Sequence, residues 1–150
     1  MDYQKSPGGI WKRCGDLQPI FITQPAAGAD FTYTLPASGV YLFKSLAFQL
    51  VSSATAANRV ARVSFTHGGL MFCELTAALA HTASLTVRYS FFPGATLLTV
   101  VSTVLTGPAP TDFFLPGGTV IASVVGSLQA TDQISAIGLF VEFFLFAGEY

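Results

Sequence analysis

The chain has 150 residues, 51% of them hydrophobic and only 10% charged, with a formal net charge of −1. That excludes intrinsic disorder, which needs low hydrophobicity and high charge, and a coiled coil or long solvated helix, which needs more Glu, Lys and Arg. One domain of ordinary size is expected, and the near-neutral charge argues against a partner made of nucleic acid phosphates or anionic lipid.

Residues 1–17 come first and differ from the rest. They are polar, marked by Gly and Pro, and carry Lys5, Lys12 and Arg13 of the seven basic residues. They read as an N-terminal arm, with Ile10 and Trp11 as a hydrophobic anchor for a neighbour and Arg13 among its polar contacts. Residues 18–150 read as one β-sandwich domain, because the hydrophobic period there is two rather than 3.6. Phe31, Tyr33 and Leu35 alternate with Thr32 and Thr34. Leu46, Phe48 and Leu50 oppose Ala47 and Gln49, and Ala61, Val63 and Phe65 alternate with Arg62, Ser64 and Thr66. Leu85, Val87, Tyr89 and Phe91 alternate with Thr86, Arg88 and Ser90, whereas Val120 to Val125 is apolar enough to be partly covered on both faces.

Pro- and Gly-marked groups divide these runs: Pro25–Gly28, Pro36–Gly39, Gly68-Gly69, Pro93-Gly94, Gly107–Pro110 and Pro116–Gly118. Pro fixes φ and Gly supplies positive φ, so each group is expected to end a strand. The expected strands are 18–23, 30–35, 40–51, 59–67, 69–76, 83–92, 96–105, 119–128 and 134–146. Only 76–82 suggests a helical turn. Eight or nine short strands at this spacing predict an all-β sandwich or barrel.

The last strand carries two apolar faces. Ile137, Leu139, Val141, Phe143 and Leu145 form one; Phe140, Phe144 and Phe146 surround Glu142 on the other. An ordinary sandwich strand wets one face, so both are expected to be covered. The odd face is assigned to the domain's own core and the even face to another subunit, with Glu142 at the contact's rim or paired with an Arg.

The mean hydropathy is high for a soluble monomer. The uncharged apolar stretches fall short of the roughly 20 residues a bilayer-spanning helix needs. The N-terminus lacks the apolar core of a secretory signal, which demotes an outer-membrane barrel. Subunit contact is the plainest way to cover the surplus.

Chemistry is sparsely signposted. Cys14 and Cys73 form no C-x-x-C pair and are expected to be reduced, mostly buried thiols. His67, Cys73, His81 and scattered carboxylates do not supply the organised ligands of a zinc site. No G-x-S-x-G, Walker or dinucleotide pattern occurs, and nothing in the carboxylate spacing selects a glycosidase pair. No enzyme and no cofactor are expected. Arg59 after Asn58 reads as a turn residue, as an ion-pair partner for a neighbouring subunit, or as a partner of Asp132.

Three segments together resemble small β-sandwich structural proteins of tailed bacteriophages. The first is Leu46 to Phe65, with its small-residue turn and Asn58-Arg59 strand start; the second is Ala80 to Gly94; the third is Leu115 to Val120 followed by Leu128 to Ala136. They occur in the family's order over about two-thirds of the chain. Relatives close with a short acidic tail, whereas this chain runs Phe143-Phe144-Leu145-Phe146-Ala147. The resemblance implies a jelly-roll-like virion component, assembled in the host cytoplasm: a capsid decoration or cement protein, trimeric and bound to the major capsid protein. A collar, tail or head-fibre component is the alternative within that class. A carbohydrate-binding jelly roll is the rival outside it, disfavoured by 14 Phe against one Trp, since Phe has no polar tip to keep wet.

Overall fold

The computed structural model describes residues 3–5, 11–13, 15–77, 79–96 and 104–144, the first two spans by backbone alone. Within the expected arm, β1 (Tyr3–Lys5) and β2 (Trp11–Arg13) pair antiparallel. The sandwich begins at β3 (Asp16–Ile22), two residues before the expected boundary. It continues through β4 (Thr32–Thr34), β5 (Val40–Val51), β6 (Val60–His67), β7 (Leu70–Thr76) and β8 (Thr86–Pro93). β9 (Val104–Ala109), β10 (Phe114–Pro116), β11 (Val120–Gly126) and β12 (Gln133–Phe144) complete it.

One sheet runs β3-β12-β5-β8-β9, with β10 also beside β5, and the other runs β4-β11-β6-β7. Setting β9 and β10 aside leaves eight strands. The first of these pairs with the last (β3 with β12), the second with the seventh (β4 with β11), the third with the sixth (β5 with β8) and the fourth with the fifth (β6 with β7). All four pairs are antiparallel. That nesting is a long hairpin rolled onto itself, the jelly-roll arrangement of a sandwich.

Two expectations are corrected. Residues 106–109, marked as a turn by Gly107 and Pro108, belong to β9, which lies parallel to β8 at the sheet edge. Pro108 is tolerated because an edge strand needs donors on one side only. Gly107 is required there, since a Cβ would lie 2.5 Å from the Phe91 ring. The expected helical turn at 76–82 instead finishes β7 and returns through a bridge between Arg59 and His81.

The alternating apolar residues meet between the sheets, as the period of two requires. Phe43, Leu46, Phe48 and Leu50 of β5 face Ala61, Val63 and Phe65 of β6, all buried. Phe48 stacks on Tyr89 at 5.2 Å between centroids, and Phe43 meets Phe65 edge-on at 5.6 Å. Each fully buried Phe or Leu contributes about 1.5–3 kcal/mol relative to exposure.

Two bulges set which side chains reach this core. In β5, Phe43 and Leu46 are both buried with two residues between them, because Lys44 is extra: Phe140 opposes Ser45 and Val141 opposes Phe43. In β12, Ser135 opposes Gln49 and Gly138 opposes Ala47, and Ala136 takes φ 49°. An L-residue with a Cβ is strained in that left-handed region. Ala136→Gly should therefore raise the unfolding free energy by up to about 1 kcal/mol, and Ala136→Val should lower it, in urea titrations at neutral pH.

Candidate functional site

Arg59 starts from an extended turn and points inward. Its side chain and that of Asp132 are both fully buried, and they pair directly. Nη2 donates to Asp132 Oδ1 at 3.0 Å, to the Thr55 carbonyl at 3.0 Å and to Ser53 Oγ at 3.2 Å, while Nη1 donates to the Ala57 carbonyl at 3.2 Å. Asp132 also accepts the backbone N–H groups of Ser53 and Gln129, each at 2.8 Å. Backbone bonds of 3.0 and 2.7 Å join Arg59 to His81. The pair thus holds together the loop after β5, the loop after β11 and the strand leading to β8. This corrects Arg59 as an intersubunit residue: no part of its guanidinium reaches the surface, and its partner is internal.

Burial on its own raises the Asp132 carboxyl, but the Arg59 guanidinium and the two backbone donors outweigh it and hold the group well below the usual carboxylate range. Burial, with Arg59 nearby, pushes His81 down, although its bond to the Leu85 carbonyl and the Asp132 charge oppose this. The chemistry of the cluster is structural: its charges are spent on each other and on backbone groups. Among the described residues, no group of three His, Cys, Asp or Glu is placed to hold a metal ion. Cys73 is free and half-buried, its thiol raised by burial; Cys14 lies outside the described residues.

The outward face of the six-stranded sheet offers a different kind of site. Register partners share a face, so its composition follows from the pairing. One row is Leu17, Glu142, Leu42 and Phe114, and the next is Pro19, Phe140 and Ser45, with Phe92 opposite Pro108. Phe144, Val40 and Pro116 lie beyond the first row, and Phe21, Gly138, Ala47 and Ser90 beyond the second. Phe114 and Phe144 rings are 6.2 Å apart. Within this surface Glu142 is held by Lys44 Nζ at 2.7 Å and accepts the Gly15 N–H at 3.1 Å. Its partner is thus a Lys of the same chain rather than an Arg.

The outward face of the other sheet is built differently. Thr34, Val120, Thr66 and the exposed Met71 form one row, and Thr32, Ala122, Ser64 and Glu74 the next. Arg62 and Glu74 make a partly exposed ion pair at 3.5 Å across it. The four-stranded sheet's outer face is therefore mostly polar, with Met71 as its exposed apolar exception, and the six-stranded sheet's outer face is mostly apolar towards the Val40 end of β5. A sheet face left to water needs no Phe side chains.

The expected contact residues divide accordingly. Phe140 is 39% exposed on the apolar face, with Glu142 and Phe144 half-buried beside it. Trp11 and Arg13 lie in β2, their side chains outside the description, and Ile10 and Phe146 lie outside the described residues. Opposite them in β12, Ile137, Leu139 and Val141 are buried in the core and Phe143 packs against its margin. Sequence reading missed Leu17, Phe21, Phe92 and Phe114 as surface residues; strand register supplies that signal. It also missed the hairpin tip at Leu70, Met71 and Phe72, all three exposed.

Arg59→Met should cost about 3–5 kcal/mol in chemical denaturation, because it strands a buried carboxylate. Acid should destabilise the fold in two windows. Unfolded His81 takes its proton near 6.5 and folded His81 only at lower pH, so stability falls as pH drops below about 6.5. Asp132, depressed when folded, contributes stability that is complete above about 4 and lost below it. A pH series of melting curves checks both, and His81→Gln should flatten the upper window. No family model matches the chain, no curated protein matches its sequence, and no solved structure is significantly similar to it.

Proposed function

We propose that this chain is a non-enzymatic structural protein of a bacteriophage virion, a capsid decoration or cement protein that reinforces the head through subunit contacts. The carrying observation is the apolar part of the six-stranded sheet's outer face, on a sandwich whose opposite face is mostly polar. Resemblance in three ordered segments supplies the virion context. Those segments converge in space: Ser53 and Arg59 from the first, His81 from the second and Asp132 from the third meet at the buried pair. Those residues serve this chain's own scaffold, so the proposed function rests on the outer surface instead.

The role is mechanical. Contacts of about 1,200–2,000 Å², repeated over a shell, add buried area that resists internal pressure. The chain associates with itself and with the major capsid protein, and the N-terminal segment leaves the sandwich at Asp16, beside Phe143 and close to Phe144. In this reading the arm extends that contact onto a neighbour. The exposed aromatics of that face are Phe, which offer a sugar ring no hydrogen-bonding tip.

Quantitative mass spectrometry of purified particles tests the proposal. Hundreds of copies per virion support a decoration protein, about a dozen move it to collar, tail or fibre, and absence overturns it. Deleting residues 1–13 should leave the melting transition in place and lower occupancy on shells; unchanged occupancy removes the arm from the mechanism.

A further inference from the structure

We propose that residues 79–85 form an acid-released latch: protonation of His81 opens this segment away from Arg59 and Ser52 while the two sheets stay folded. This goes beyond the assembly reading and does not depend on it.

The segment is tied down by polar contacts. His81 exchanges two backbone bonds with Arg59, the Ser84 N–H bonds the Ser53 carbonyl at 2.9 Å, and the Leu85 carbonyl accepts the Ser52 N–H at 2.9 Å. Ser52 Oγ donates to the Thr82 carbonyl at 2.8 Å and accepts the Leu85 N–H at 2.9 Å. Apolar cover is thin by comparison. Ala80, Thr82 and Ser84 are exposed, Leu85 is 43% exposed, and Leu79 is half-buried. The segment, with Val87 and Leu105, also lines a cavity of about 170 Å³. Opening it therefore gives up little packing. Ser84 adds strain, because its φ of 56° lies in the left-handed region. Few buried apolar contacts and exposed backbone bonds mark a segment that opens below the global unfolding free energy.

His81 makes that opening respond to pH. Its ring is buried, and Nε2 lies 3.1 Å from the Leu85 carbonyl. A carbonyl can only accept, so Nε2 carries the hydrogen and Nδ1 of the neutral ring is a bare lone pair. That nitrogen is buried without a partner. The neighbouring Tyr89 ring, 6.2 Å away between centroids, leaves its own hydroxyl unpartnered rather than meeting Nδ1. A proton at Nδ1 thus creates a buried N–H with no acceptor. The charged groups facing the ring are Arg59, which repels the imidazolium, and Asp132, which is already engaged by Arg59 and two backbone donors. Within 79–85 only His81 titrates. Water solvates the imidazolium once the segment opens, so acid favours the open form.

The buried ion pair stays closed while the latch moves. The Arg59 guanidinium meets Asp132, Ser53, Thr55 and Ala57, none of them within 79–85.

The test is amide hydrogen exchange on the full chain at pH 7.5 and pH 5, corrected for the intrinsic pH dependence of exchange. Protection at His81, Ser84 and Leu85 should fall at least about tenfold at the lower pH, while amides of β5 and β12 keep theirs. His81→Gln should remove this pH dependence. Ser84→Gly, which relieves the left-handed strain, should raise protection of the segment at both pH values. Equal protection at the two pH values overturns the latch. So does loss in β5 and β12 in parallel with the segment, or a His81→Gln chain that keeps the pH dependence.

Discussion

The fold depends on one buried ion pair placed where the jelly roll is hardest to hold together. Arg59 and Asp132 lie 73 positions apart, each fully enclosed. Taking two charges out of water costs several kcal/mol per ion, and their attraction offsets this only with good geometry and saturated hydrogen bonding. Both conditions hold. The guanidinium meets a carboxylate, two carbonyls and a hydroxyl, and the carboxylate meets two further backbone donors. Those partners belong to loops that otherwise have little apolar surface to bury. The pair thus replaces hydrophobic packing at the end of the sandwich where the chain crosses between sheets.

Beyond that end, the chain's surplus hydrophobicity is distributed unevenly. The inner faces take Phe, Leu, Val and Tyr and close without charge, with Ser123 accommodated by its bonds to Asp30 and the Phe31 N–H. The outer face of one sheet is furnished with Thr, Ser and an Arg–Glu pair. The outer face of the other carries Leu17, Phe21, Phe114 and Phe140. High overall hydropathy could have come from an oversized core or from uniform surface stickiness. It is instead gathered in two places, the outer face of the six-stranded sheet and the β7 hairpin tip at Leu70, Met71 and Phe72.

Much of this was legible in a period of two. The strand expected at 40–51 has those bounds, and the odd face of β12 enters the core as the alternation indicated. Where reading failed, a tertiary cause is visible. Gly107 and Pro108 announced a turn, yet a ring from the neighbouring strand occupies the space of the missing side chain, and an edge strand spares the missing donor. The bulges at Lys44 and Ala136 leave no local mark, because an inserted residue is recognised only against its partner strand. Arg59 was open between a neighbour and Asp132, since sequence separation carries no information about a crossing between loops. Phe21 was not assigned to a face for the same reason: its side follows from Gly138, 117 positions later, through the β3–β12 register.

The ion pair and the apolar rows occupy opposite ends of the same strands. β5 runs from Val40, among the apolar rows, to Val51, beside the loop that holds Arg59; β12 runs the other way, from Gln133 next to Asp132 to Phe144. Twelve residues of strand span roughly 35–40 Å at about 3.3 Å each. Perturbations that far apart and without shared partners are close to additive. The rows change character along that length, from Phe and Leu through Ala47 and Ser90 to Gln49 beside Arg88. An apolar face at the end remote from the buried charges can be desolvated by a partner without lowering the dielectric around Arg59 and Asp132. The scaffold's electrostatics are complete within the chain, and the apolar rows hold one further pair of charges, Lys44 and Glu142, that neutralise each other.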